Sequence, residues 1–167
     1  YSSNKIKWLA LLVFSITLSA CNYSDPKSEV VVEPPSKPDP INYRYEITVT
    51  NLTNAQPVSP IVVAFHKDGK LWQIGEPASE ALEVLAESGD NTMYLEEPML
   101  TSVVSSNGLV MPGSSETLEL IQVDLQPMFL SLVTMLVNTN DAFTGINALD
   151  ISMMTVGEIY SFNTSSY

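Results

Sequence analysis

Met128–Val137 reads MFLSLVTMLV, and the polar residues Asn138–Asp141, NTND, follow it directly. This apolar run is too short to cross a bilayer as a helix, which takes roughly 20 residues. Its apolar and polar residues do not alternate cleanly, so the run predicts a strand that is covered on both faces, as in the centre of a β-sandwich. The pattern leaves a buried helix open as the alternative.

Shorter segments on both sides of this run have the pattern of half-buried strands. Apolar and polar residues alternate in Tyr43–Thr50 and again in Glu116–Val123, so each predicts a strand with one face in the core. An Asp-Gly turn at Lys67–Lys70 predicts that two further strands pair as a hairpin. The remaining predicted strands are Ile61–His66 and Leu71–Ile74 on either side of that turn, Ser102–Ser106, Gly108–Met111 and Ile159–Asn163.

One segment has the spacing of a helix. Ala78, Leu82 and Leu85 recur at helical intervals, Pro77 suits a first helical turn, and Ser88-Gly89 suits a helix end. The elements together predict a mainly β protein, an antiparallel β-sandwich with one short helix.

The chain begins with the features of an export signal. Lys5 and Lys7 precede the apolar run Trp8–Leu18, and small residues follow. We therefore interpret residues 1–20 as a signal peptide that forms a helix. Leu18–Cys21, LSAC, resembles the bacterial lipobox, which implies that Cys21 is acylated and becomes the mature N-terminus. A plain signal peptide with a chance cysteine is the alternative.

A Pro-rich segment separates this signal from the predicted domain. Residues 21–41 contain the lipidation site Cys21 and five prolines, so we expect a disordered, semi-rigid tether. The globular domain is then residues 42–167. Asn22 after the cysteine, in place of Asp, favours the outer membrane for a Gram-negative source. The predicted location is thus the cell envelope, outside the cytoplasm, with a lipid anchor in the membrane.

Composition excludes several functions. The formal net charge is −12, with 7 Lys plus Arg against 19 Asp plus Glu, so there is no basic footprint for nucleic acid. The single Cys excludes an intrachain disulfide framework, and the single His excludes a multi-His metal site. An acidic surface of this kind suits cations.

The sequence offers little that indicates catalysis, and we predict that the chain is not an enzyme. His66 has no partner fixed in sequence, so a structural histidine is the default interpretation. Glu96 and Glu97 are adjacent, and adjacent strand residues point to opposite faces, so they do not form an acid/base pair. No nucleophile-elbow, P-loop or dinucleotide-binding motif occurs.

The loop Asn138–Asp141 is the one candidate metal site. Asn and Asp supply the hard oxygen ligands that Ca²⁺ prefers, although one carboxylate does not hold calcium alone.

The order of these features resembles the spondin N-terminal domain, found in F-spondin and mindin, in its bacterial form. The resemblance rests on Ile47–Thr53 (ITVTNLT), His66, Trp72 and Leu85–Asp90 (LAESGD), and most strongly on Ser131–Gly145, SLVTMLVNTNDAFTG. It extends over about residues 43 to 167, with the motifs in the family's order and spacing.

The resemblance implies a C2-like antiparallel β-sandwich that binds Ca²⁺ at one end, with Asp141 as a ligand. The family's other acidic ligands belong to a later motif that Ser165–Tyr167 approaches, so we expect them beyond Tyr167, in a domain truncated at its C-terminus here. The expected function is adhesion or recognition of a glycan or a surface protein. The alternatives are a structural envelope or assembly protein without metal, and an envelope hydrolase.

Overall fold

The computed structural model describes residues 39–123 and 129–167, which belong to one compact unit. The predicted signal peptide, the lipidation site Cys21, nearly all of the tether, and Met128 lie outside the described residues. The elements are, in chain order, β1 (Asn42–Thr50), β2 (Val62–His66), α1 (Glu80–Ser88), α2 (Thr92–Leu95), β3 (Leu100–Ser105), β4 (Ser115–Val123), β5 (Phe129–Met135) and β6 (Phe143–Asp150).

The strands form two antiparallel sheets, which confirms the predicted mainly β sandwich. β1 pairs with β4, and the larger sheet has the strand order β3-β2-β5-β6. Residues on the inner face of the small sheet, such as Ile47 and Leu118, pack against Phe65 and Leu132 of the large sheet. The ring of Tyr45 meets that of Phe65 edge-on at 4.8 Å, which joins the two layers.

The opposite face of the large sheet is also covered. β5 is therefore buried on both faces, as its sequence predicts, and its apolar and polar residues do not alternate cleanly. Val62, Val133 and Met135 pack against Leu82 and Leu85 of α1. Because both faces are buried, β2 and β5 have no solvent side that would require polar residues.

Helix α1 begins later than its sequence predicts. The predicted start at Pro77 is wrong because Ser79 caps the helix, its hydroxyl accepting a bond from the Leu82 amide at 3.3 Å. The predicted end is confirmed: Gly89 adopts φ 74° and donates its N–H to the Leu85 carbonyl at 2.8 Å. A second, four-residue helix, α2, follows where only one helix was expected.

The predicted hairpin partner Leu71–Ile74 is not a strand. The Asn147 side chain accepts from the Leu71 amide at 2.9 Å and donates to the Trp72 carbonyl at 2.6 Å, replacing the ladder that a strand would supply. β2 pairs instead with β3 and β5. The segment around Trp72 thus becomes part of the cover over the sheet.

Two other predicted strands are also absent from the described residues. Gly108–Met111 contributes a single bridge, from Val110 to Val58. Ile159–Asn163 has no ladder partner, and Ile159 is 93% exposed. The last strand is β6, which the sequence did not predict, and Ser166 near the chain end makes one bridge to its Thr144.

Candidate functional site

Asp141 lies in the tight loop between the central strand β5 and the edge strand β6. Hydrogen bonds from the Leu136 amide to the Ala142 carbonyl, at 2.9 Å, and from the Thr139 amide to the Leu136 carbonyl, at 2.9 Å, close this loop. The Asp141 carboxylate is exposed, and the Asn140 side-chain amide donates to it at 3.1 Å. The loop therefore presents one carboxylate to solvent.

The residues around this loop do not complete a calcium shell. Ca²⁺ takes 6 to 8 oxygen ligands, several of them from carboxylates. Within residues 39–123 and 129–167, no group of three or more His, Cys, Asp or Glu side chains is close enough to hold a metal ion. Asp141 can supply one ligand, and the described residues do not fit a complete site.

A groove runs from the Asp141 loop along helix α1. Its acidic half has a volume of about 430 Å³, with Glu83 and Glu87 of α1 on one side and Asp141 and Phe143 on the other. It adjoins a smaller cavity of about 170 Å³, which is bounded by Trp72 and Tyr167. Both cavities share Pro77, Ala78, Leu82 and Phe143, and we call the whole the α1–β6 groove.

Three aromatic rings meet at the second half of this groove. Phe143 and Tyr167 stack with ring centroids 5.5 Å apart, and Trp72 packs edge-on against them at 5.2 and 5.7 Å. Backbone hydrogen bonds between Phe143 and Tyr167 in both directions hold Tyr167 beside β6. Sequence reasoning missed this cluster because its members lie far apart in the chain and β6 was not predicted.

The structure buries His66 completely. Its Nδ1 donates to the Asp68 carbonyl at 2.8 Å, and in that tautomer Nε2 accepts from the Ser131 hydroxyl at 2.8 Å. The Ser131 oxygen in turn accepts the Ala148 amide proton at 2.8 Å. Because every polar atom of the pair is used inside the core, the geometry is that of a structural histidine.

Two other titratable sites differ from expectation. Glu96 and Glu97 follow the end of α2 and do not lie on a strand, so the strand argument against pairing them does not apply to this turn.

Tyr94 was not singled out by its sequence, yet it is only 1% exposed and its hydroxyl has no hydrogen-bond partner among the described residues. Burial raises the pKa of Tyr94 to about 12, and the charge of Glu97 adds to the rise. The Ser79 side chain near the Tyr94 hydroxyl opposes the rise, although the two groups are not in hydrogen-bonding geometry.

The fold defines a class: a mainly β sandwich, with the α1–β6 groove and the Asp141 loop open to solvent. The family model Spondin_N, the spondin N-terminal domain, matches residues 51–159. The chain belongs to the spondin N-terminal domain family, which confirms the resemblance seen in its sequence and indicates an extracellular, adhesion-type domain. No curated protein matches the chain significantly. None of the helices in the described residues has the length and apolar character needed to span a membrane.

Proposed function

We propose that this chain is a recognition domain of adhesion type, displayed outside the cytoplasm on the cell envelope. The observation that carries the proposal is the spondin N-terminal match over residues 51–159, on a sandwich whose groove and loop face solvent. The proposed ligands are a glycan or a surface protein, and not nucleic acid, because the net charge is −12.

The proposed role is binding and not catalysis. His66, the one histidine, makes both of its side-chain hydrogen bonds inside the protein and is 0% exposed. A general base must reach the proton that it removes from a substrate. In this fold His66 stabilises the core, so a role as an envelope hydrolase gains no support from it.

The proposed membrane attachment is a lipid on Cys21, followed by the tether to residue 41. Its support is the basic, apolar and small-residue pattern before the cysteine. Stable anchoring needs more than one acyl chain, which lipobox processing would supply. For a Gram-negative source, Asn22 after the cysteine, in place of Asp, favours the outer membrane for the proposed anchor.

Membrane fractionation tests the anchor. Cys21→Ser in the full-length protein should abolish incorporation of labelled fatty acid and move the protein from the membrane to the soluble fraction. The matched change Ser19→Thr keeps the cysteine and should leave both readouts unchanged. Membrane association of Cys21→Ser equal to that of the wild type would refute lipid anchoring.

Calcium belongs to the same proposal, with Asp141 as one ligand. The supporting observations are family membership and the exposed carboxylate directly after the central strand. Calorimetric titration of the full-length protein should show Ca²⁺ binding with a Kd of about 10⁻⁴ to 10⁻³ M, the range of extracellular modules. Asp141→Ala should remove the binding heat.

A matched control uses another exposed loop aspartate. Asp68 lies in the turn after β2, and its side chain makes no hydrogen bond among the described residues. Asp68→Ala therefore removes the same charge and should leave the Ca²⁺ titration unchanged. Equal binding by wild type and Asp141→Ala would remove calcium from the proposed function and leave recognition without metal.

A further inference from the structure

Two loops at one end of the sandwich expose apolar side chains. Thr50 at the end of β1 pairs with Ser115 at the start of β4, so the loops 51–61 and 106–114 meet at this end. Neither loop contains a charged residue, in a chain whose net charge is −12, and we call the two loops the uncharged tip. Three of its large apolar side chains are between 52% and 79% exposed: Leu52, Leu109 and Met111.

Hydrogen bonds join the two loops of the uncharged tip. The Asn51 carbonyl accepts from the Gly113 amide at 2.8 Å, and the Asn51 side-chain amide donates to the Val110 carbonyl at 2.9 Å. Because the Val110 side chain is buried, its neighbours Leu109 and Met111 lie on the opposite side of the chain, towards solvent. The exposed apolar side chains therefore belong to one fixed surface, of the kind that marks a contact with a protein or a membrane.

Side chains of the first loop also bond its own backbone. The Asn51 side chain accepts from the Thr53 amide at 3.0 Å and donates to the Gln56 carbonyl at 2.8 Å. The Thr53 hydroxyl donates to the same carbonyl at 2.6 Å and accepts from the Gln56 amide at 3.2 Å. A backbone group without a partner is costly in a medium that lacks water. These internal bonds lower the cost of moving the loop out of water.

The tether brings the uncharged tip within reach of a membrane. It enters β1 at Asn42, which pairs with Val123 at the end of the sandwich opposite to the tip. β1 has nine residues and is therefore about 30 Å long. Residues 22–41 can extend up to about 60 Å from an acylated Cys21, so the tip can turn back to the bilayer. Tethering also raises its effective concentration there, so a weak contact is enough.

Charge determines which lipid surface suits the tip. The three basic residues of the described chain lie towards the tether end, where β1 begins and β2 ends: Arg44, Lys67 and Lys70. The loop of Asp141 adjoins the tip, since the Asn138 side chain donates to the Ala55 carbonyl at 3.2 Å. With acidic residues near it and no basic ones, the tip is repelled by anionic headgroups. A neutral lipid surface avoids this repulsion.

We propose that the uncharged tip enters the surface of the membrane that holds Cys21, with its exposed apolar side chains between the headgroups and the acyl chains. Three side chains give a weak and reversible contact, which the lipid anchor makes effective. The tip thus holds the domain down on the bilayer. This inference rests on the proposed lipid anchor and adds a second membrane contact to it; it does not require calcium.

A fluorophore whose emission depends on its environment tests this contact. It is attached to Met111→Cys in the full-length Cys21→Ser protein, which has no other cysteine and no acyl chain. Vesicles of phosphatidylcholine should shift its emission to shorter wavelength, and phosphatidylglycerol vesicles should shift it less. The matched position is Val123→Cys, which is 50% exposed at the tether end and should show no shift. The comparison is specific to the labelled position, whatever else holds the protein to a vesicle.

Co-sedimentation with the same phosphatidylcholine vesicles measures the contribution of the side chains. Leu109→Ser/Met111→Ser should weaken partitioning about tenfold, since both variants lose apolar surface that lipid would cover. The control Ile121→Ser/Val123→Ser changes two side chains that are 52% and 50% exposed and should partition as the parent protein does. All four side chains are exposed, so unchanged thermal unfolding checks that the variants fold.

Two results would overturn the inference. One is a label at position 111 that stays in an aqueous environment with every vesicle, and an apolar surface of a partner protein would then be the remaining occupant of the tip. The other is equal weakening by the tip pair and by the control pair, which would show that exposed apolar residues act without regard to position.

The Cys21→Ser fractionation separates this inference from the proposed anchor. Incorporation of fatty acid in the wild type, with a label at position 111 that stays aqueous, supports the anchor and refutes the tip. A label at position 111 that enters lipid, in a chain whose wild type incorporates no fatty acid, supports the tip and refutes the anchor.

Discussion

The two faces of the four-stranded sheet have different covers. One face packs against the strands β1 and β4 through side chains such as Val63 and Leu118. The other packs against α1, α2 and the segment around Trp72, and it buries the His66–Ser131 hydrogen bond. The α1–β6 groove lies on this second side.

The difference shows what each kind of cover demands. In the strands of a covering sheet every second side chain faces the core, so alternation of apolar and polar residues is enough to form the interface. Hydrogen bonds between the strands satisfy the backbone groups. A cover of short helices and irregular chain leaves backbone groups without ladder partners, and side chains must satisfy them. Asn147 does so for Leu71 and Trp72, and Ser131 does so for Ala148. The helical face should therefore be less tolerant of small changes than the sheet-covered one.

The largest effect is expected at Gly145, on the helical side of β6. A Cβ there would overlap the backbone carbonyl of Leu132 and would touch Trp72 at 3.0 Å. Backbone cannot move aside cheaply, so Gly145→Ala should lower the free energy of unfolding by about 3 kcal/mol or more. Urea unfolding measures this change.

Gly108 provides the control for this substitution. It has open space around the position of an added Cβ and an ordinary backbone conformation. Gly108→Ala should leave the free energy of unfolding within about 0.5 kcal/mol of the wild type. If Gly145→Ala and Gly108→Ala changed the free energy of unfolding equally, the close approach between β5 and β6 would not require glycine at position 145.

The next effect concerns Ser131. Ser131→Ala leaves the buried His66 Nε2 atom and the partly buried Ala148 amide without a partner. Unsatisfied buried groups cost about 1 to 3 kcal/mol each, and we expect a total loss of about 2 kcal/mol after local relaxation. Ser115→Ala removes a hydroxyl from the exposed face of β4 and should cost less than about 0.5 kcal/mol. Equal losses would contradict the comparison between the faces.

The sequence predicted best the elements that the sheet-covered face needs. β1 and β4 were found because their solvent side preserves strict alternation, and β2 and β5 because they are apolar on both faces. The end of α1 was found through Gly89, whose left-handed conformation follows from its type. These signals are local, so they can be recognised in the sequence without knowledge of the tertiary structure.

The helical face was predicted poorly because its structure depends on distant residues. Leu71–Ile74 has the composition of a strand, and only the Asn147 side chain shows why it is not one. Asp141 was placed correctly in a loop after β5, but nothing in the sequence showed that Glu83 and Glu87 of α1 line the same groove. The groove arises from the packing of α1 on β5 and the return of Tyr167 to β6, which no local pattern contains.

Tyr94 gives a pH-dependent test of the helical face. Its pKa is about 12 in the folded protein, against about 10 when unfolded, because burial disfavours the charged phenolate. A raised pKa gives stability that is complete below pH 10 and is lost as the pH rises towards 12. At pH 12 this loss should be about 2 kcal/mol, and Tyr94→Phe should abolish it.

At neutral pH, Tyr94→Phe should leave the free energy of unfolding nearly unchanged. The Tyr94 hydroxyl has no hydrogen-bond partner among the described residues, so its removal leaves no group newly unsatisfied. Urea unfolding at pH 7 and at steps from pH 9 to 12 separates the two regimes. A Tyr94→Phe variant that loses stability with pH as steeply as the wild type would refute the burial argument.

The smallest effect is a gain, at Glu87 on the groove. Glu87→Gln removes a negative charge from the negative end of α1 and should raise the free energy of unfolding by about 0.3 to 1 kcal/mol at low salt. Glu80→Gln removes a charge from the first turn, where it is favourable, and should lower it by a similar amount. Paired urea titrations at low and high salt measure both, and salt should reduce both. If Glu87→Gln were destabilising, repulsion between this carboxylate and the negative end of α1 would not be its main effect on stability.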